Sequence, residues 1–182
     1  DYADFFSYYE QVVIPPGETA TEALVYIRGD IFDENDEGFW IQIGDPIGAE
    51  IGGFFGLGRG TIIDDDDPPA VVPEWADTLE NDGPAVVALR LTEPSGKPIT
   101  VDWQTASWTA TAGEDFVDAA GQVTFEPGVT SQFEFVDLLD DDDIEDHVEH
   151  FGVVTSNYVN VRPGGFYGVA FVGLFDDERD CT

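Results

Sequence analysis

An all-β chain of antiparallel sandwich repeats is the fold that this sequence predicts, on three observations. Apolar residues recur with a period of two, turn formers interrupt them at short intervals, and the whole pattern occurs twice, once cut short. The period shows in Val86-Val87-Ala88-Leu89-Arg90-Leu91, in Ile99-Thr100-Val101-Asp102-Trp103 and in Gln132-Phe133-Glu134-Phe135-Val136, which are rich in β-branched and aromatic types. Between such runs stand Glu93-Pro94-Ser95-Gly96, Glu126-Pro127-Gly128 and Arg162-Pro163-Gly164-Gly165. No segment carries a capped helical period. Strands are expected over 70–79, 84–92, 98–105, 122–126, 131–139, 149–156 and 167–175. That is about seven, the number of an immunoglobulin-like β-sandwich.

The repeat sets the domain organisation. Gln11-Val12-Val13-Ile14-Pro15-Pro16-Gly17-Glu18-Thr19 matches Gln122-Val123-Thr124-Phe125-Glu126-Pro127-Gly128-Val129-Thr130, and the acidic stretch 29–39 matches 141–151. Each copy ends in an apolar strand and an acidic tail, at 60–67 and at 172–178. Residues 68–113 have no earlier copy. The chain therefore reads as the C-terminal half of one repeat, 1–67, followed by a complete repeat, 68–180. Pro68-Pro69 stiffens the linker after four aspartates. The first repeat is left with the last four strands of a sandwich and a core face, including Ile14, Leu24, Phe39, Ile41 and Ile43, that needs a cover. Either upstream residues or strands from a neighbouring chain would supply it. The second arrangement would make the protein a filament subunit, a homopolymer by strand complementation, with Cys181 placed to bridge neighbours.

Composition narrows the partners. There are 39 Asp and Glu against 6 Lys and Arg, a formal net charge of −33, so nucleic-acid phosphates and anionic lipid heads are repelled. With 42% hydrophobic and 13% aromatic residues the chain has enough apolar material to pack a core. No run of apolar residues is long enough to span a membrane as a helix, and no signal peptide or methionine is present, as expected of a processed or excised segment. One cysteine gives neither an internal disulfide nor a zinc site. The acidity fits a high-salt habitat, bound divalent cations, or both. The bunching of aspartates at 64–67 and 140–143 is more than dispersal over solvent-facing positions explains.

Strand parity locates the acids. If successive strands run up and down, the connections holding Glu80, Asp115 and 140–149, and the exit carrying Asp176, Asp177 and Glu178, all lie at one pole. Like charges about 4 Å apart repel by roughly 1 kcal/mol even at the dielectric of water. Calcium suits such a pole, since it takes six to eight hard oxygen ligands in flexible geometry, whereas zinc prefers His or Cys.

At these residues the chain resembles the Calx-beta family. The motifs are Glu80-Asn81-Asp82-Gly83, Val101-Asp102-Trp103-Gln104-Thr105, Thr109-Ala110-Thr111-Ala112-Gly113-Glu114-Asp115-Phe116, Phe125-Glu126-Pro127-Gly128, the acidic loop 140–151 and Asp176-Asp177-Glu178. The resemblance implies a seven-stranded sandwich whose distal loops bind a cluster of Ca²⁺. The ligands it implies are Glu80, Asp115, Asp141, Asp142, Asp146, Glu149, Asp176, Asp177 and Glu178. Their counterparts in the partial repeat are Asp1, Asp30, Glu34, Glu37, Asp64, Asp65 and Asp66. That copy has Gly29-Asp30 where the family often has two Asp, and it lacks the early Glu.

No catalytic site is expected. His147 and His150 form His-Val-Glu-His, the wrong spacing for a zinc-binding helix. The glycine-rich string 52–58 reads as a turn. The leading expectation is an extracellular, calcium-stiffened structural or adhesive segment of a larger surface or filament protein, in contact with neighbouring repeats or other copies of itself. A Ca²⁺-sensing regulatory module is the alternative, and a carbohydrate- or receptor-binding module using loop aromatics such as Trp108 or Phe54 is a third.

Overall fold

The structure is a computed structural model of the 182-residue chain and describes residues 4–7, 9–140 and 148–176. It divides into two compact units, Asp1–Ile31 with Asp36–Asp64, and Phe32–Asn35 with Asp65–Thr182.

In the smaller unit β1 (Glu37–Gln42) and β2 (Leu57–Ile62) form an antiparallel hairpin, with Glu37 opposite Ile62. Outside it, the described residues of the unit carry one isolated bridge, Phe5 to Ile27, and Ile14, Leu24 and Ile43 are exposed. Four ladder strands therefore do not form here.

The larger unit is a two-sheet sandwich. One sheet has the order β10 (Arg162–Pro163), β3 (Ala70–Pro73), β5 (Ala85–Leu91), β8 (Ser131–Val136). The other has the order β4 (Ala76–Leu79), β11 (Val169–Phe175), β9 (Glu149–Val159), β6 (Ile99–Ser107), β7 (Ala120–Phe125).

This sandwich explains the sparse ladder of the smaller unit. β7 pairs with β6 and β8 with β5, and both partners lie in the stretch that occurs once. Their counterparts near residues 11 and 20 thus have no partner strand within 1–67. β9 and β11 pair with each other, Glu149 opposite Leu174, and β1 and β2 repeat that pair in the same register 112 residues earlier.

Alternation buries one face of each strand. Ala85, Val87, Leu89 and Leu91 point inward from β5, and Ile99, Val101 and Trp103 from β6. Phe116 and Phe151 stack at 4.5 Å in the same core, with Phe125, Val136, Val153, Val172 and Leu174 around them.

Two details depart from the expected pattern. The run 70–79 is two strands rather than one: β3 joins the first sheet, and after Pro73, which has no N–H to donate, the chain crosses over so that β4 runs parallel to β11 on the second. One segment thereby covers an edge of each sheet. On β8 the phenylalanines face outward, Phe133 and Phe135 being half exposed, while Glu134 lies opposite the fully buried Val87.

Partial burial raises the Glu134 carboxyl above its ordinary value, so folding favours its protonated form. Glu134→Gln is expected to raise the melting temperature at neutral pH. That gain should close as pH falls through the ordinary glutamate range, where wild type is protonated in both states. Thermal melts from about pH 3 to about pH 8 check this.

Candidate metal-binding pole

The strand registers gather the acidic connections at one end of the larger unit. Leu79 lies beside Phe175 in the parallel β4–β11 pair, so Glu80 and Asp176 leave neighbouring strands together. Glu149 opens β9 opposite Leu174. Ser107 closes β6 opposite Phe151, and the loop that follows carries Asp115. Leu139 N donates to Asp115 O at 2.9 Å, tying that loop to the exit of β8 and hence to Asp140. Ala85 opens β5 opposite Val136 at the same end.

The Thr-Ala-Thr-Ala-Gly-Glu-Asp-Phe stretch is built to hold Asp115. Phe116 is fully buried on Phe151 and fixes the loop from below. Gly113 takes φ +88, the left-handed region that glycine enters without strain, and its N–H donates to Phe116 O at 2.8 Å. Thr111 O accepts from Asp115 N at 3.0 Å, and Thr111 N donates back to Asp115 Oδ2 at 2.5 Å. Thr109 Oγ1 accepts from His150 N at 2.7 Å, joining the loop to β9.

Glu80, Asp115 and Asp176 are 7%, 9% and 8% exposed, unusual for carboxylates. The described basic residues of this unit, Arg90, Lys97 and Arg162, sit toward the other end. There Arg90 pairs with Glu74 at 2.7 Å and Lys97 with Asp33 at 2.6 Å. Among the described residues the acids of the pole share an end of the sandwich without closing into a cage. Asp141, Asp142, Asp146, Asp177 and Glu178, and Asp1 of the first repeat, lie outside the described residues, as do His147 and Cys181. Hydrogen bonds from Asn157 and Gln122 hold the Asp102 carboxyl below its ordinary value, and Glu134 is on β8.

The candidate residues of the partial repeat fall in different places. Glu37 is exposed at the start of β1, Asp30 and Asp65 are exposed, and Asp64 and Asp66 are half-buried. Asp64 N donates to Asp36 Oδ1 at 3.1 Å. Glu34 belongs to the larger unit and lies across Gly96, where an added Cβ would come within 2.6 Å of its Cγ.

Asp33 is the residue that sequence reasoning passed over. It is 3% exposed, its carbonyl accepts from Ser95 Oγ at 3.0 Å and Gly96 N at 3.1 Å, and its carboxylate takes Lys97. The signal was the chain's single lysine in the turn 93–97, opposite a run of acids.

The sequence model of the Calx-beta domain family matches residues 1–52 and 64–178. The chain belongs to the Calx-beta domain family. It is 31% identical over 120 residues to sodium/calcium exchanger 1 of Rattus norvegicus, across 56% of this chain and 12% of that protein. It thus spans about an eighth of the length of that relative. The fold resembles the apo form of the Calx CBD1 domain, at TM-score 0.56 and 27% identity over 61% of this chain and 99% of that one. It also resembles the calcium binding domain CBD12 of CALX1.1, at TM-score 0.55 and 28% identity over 60% of this chain and 46% of the other.

The donor set of the Calx-beta pole fits calcium. All its candidate ligands are carboxylates, hard oxygen donors from four separate connections, and three of them are more than nine-tenths buried. In such a set Glu80, Asp115, Glu149 and Asp176 would hold the ion from the described side.

Gly113→Ala should destabilise this unit by about 1–2 kcal/mol through left-handed strain. Urea unfolding with and without a divalent-ion chelator should show the same loss, because the backbone strain is independent of any ion.

Proposed function

We propose that this chain is a calcium-binding structural module, one and a half Calx-beta repeats of a longer extracellular or cell-surface protein. The observation that carries the reading is the burial of Glu80, Asp115 and Asp176 at one pole, where separate connections converge. Water solvates a single exposed carboxylate well. Several buried together favour a divalent cation, which offsets both their repulsion and their lost hydration. A bound ion would link the β4, β6, β9 and β11 ends and stabilise the folded state by mass action, about 2.7 kcal/mol at a hundredfold excess over its dissociation constant.

The sensing alternative draws support from the likeness to an exchanger and to a domain described as calcium binding. Affinity separates the two. Extracellular modules bind at roughly 10⁻⁴–10⁻³ M and sensors at roughly 10⁻⁷–10⁻⁵ M. Calorimetric titration after chelation is expected to give more than one ion and the weaker range. Glu80→Gln with Asp176→Asn should lower the melting temperature in calcium and leave it level or higher in chelator. An equal loss in both conditions would remove these residues from the ligand set.

The partner reading concerns residues 9–31, whose repeat counterparts in β7 and β8 each take a ladder partner from the stretch 68–113. Strand addition from a neighbouring repeat or another copy would complete that face. Amide exchange of residues 11–27 should then slow as protein concentration rises or when an upstream half-repeat is supplied. Fast exchange under both conditions argues against it.

A further inference from the structure

The outer face of the five-stranded sheet carries an aromatic cleft that the calcium reading does not use. Two cross-strand rows build it. Phe171 lies opposite Gly152, and Val172 opposite Ala76, which places Trp75 beside Phe171. In the adjacent row Gly173 lies between Asp77 and His150. Trp108 closes the far side, next to the Thr109 N–H that donates to His150 O at 3.1 Å. Trp75, Trp108, His150 and Phe171 together line a cleft of about 230 Å³.

The two glycines shape its floor. Gly152 lies opposite Phe171, and an added Cβ there would meet Phe171 Cε1 at 3.8 Å, an ordinary contact. At Gly173 the corresponding Cβ would lie 2.6 Å from Asp77 Oδ1 and 3.5 Å from His150 Nε2, so the carboxylate is folded over the glycine toward the histidine. The ring planes stand steeply to one another, Trp75 to Phe171 at 61° and 5.2 Å, Trp108 to Phe171 at 84° and 5.1 Å. They form walls rather than one flat shelf. Both tryptophans remain about 70% exposed (68% and 71%), so neither is held there by the core.

We propose that this cleft binds an organic ammonium cation, such as a quaternary ammonium group or an alkylated amine side chain. Steep aromatic walls present π density from several directions, which attracts a bulky, weakly hydrated cation. The Asp77 carboxylate at the rim and the net charge of −33 favour the same sign and exclude an anion. A neutral saccharide would leave the Asp77 carboxylate without an opposite charge to meet.

The test is choline titrated into the full chain at fixed calcium and fixed ionic strength, with the indole N–H signals followed by NMR. Of the four tryptophans, Trp75 and Trp108 should shift saturably, while Trp40 and the buried Trp103 stay in place. The neutral isostere 3,3-dimethylbutanol should bind about tenfold more weakly, and Trp108→Ala and Asp77→Asn should each weaken choline by about the same factor. Equal binding of the neutral isostere overturns the proposal in favour of a merely apolar cleft. Non-saturating shifts of all four signals overturn it in favour of a diffuse ion atmosphere. Saturable shifts with cellobiose and none with choline overturn it in favour of a sugar site. Should Trp108→Ala fail to fold, Asp77→Asn and the isostere comparison still decide.

Discussion

The antiparallel register of β9 on β11 is the constraint on which the rest of this molecule depends. Glu149 opposite Leu174 sets the acidic start of one strand beside the acidic exit of the other. The same pairing turns Phe151, Val153, Val172 and Leu174 into the core and leaves His150, Gly152, Phe171 and Gly173 on the outer face. A slip of one residue would exchange the two sets and bury His150 among phenylalanines. The hairpin of the smaller unit keeps that register although the strands flanking it in the complete repeat are missing, so the pair is specified by its own sequence.

Electrostatics then acts on a frame already fixed by packing. Phe116 on Phe151 anchors the loop that holds Asp115, and the β4–β11 ladder brings Glu80 to Asp176. The acids are pushed together by apolar burial, which at about 25 cal/mol per Å² outweighs the repulsion of a few partly solvated charges. The fold can therefore present a charged pole at a tolerable loss of stability, which a bound cation would recover.

Much of this was legible in the sequence because strands have a period of two and the repeat doubled the signal. The six ladder strands from β5 to β11, β10 apart, fall where alternation and turn residues put them, and the strand count put Glu80, Asp115, Glu149 and Asp176 at the end where the registers bring them. Other features were hidden for physical reasons. Within 70–79 the one breaker is Pro73, and since proline is also tolerated in an edge strand, the change of sheet after it does not stand out in the sequence. The period of 132–136 does not say which of its faces is buried, and on β8, a sheet edge, an outward aromatic and an inward glutamate both still reach solvent. In residues 9–31 the strand pattern is present without ladder partners, and pattern alone does not make a sheet.

The glycines on the outer face carry the last step. Gly152 and Gly173 weaken a strand, since each adds backbone entropy to the unfolded chain and contributes no side chain to pack. Lying diagonally on paired strands, they leave room on this face: the Phe171 ring sits beside Gly152, and Asp77 folds over Gly173. A sheet selected for stability alone would carry β-branched residues there. Two glycines beside a ring and a carboxylate, flanked by exposed tryptophans, spend stability on the shape of a surface, and shape on a surface serves recognition.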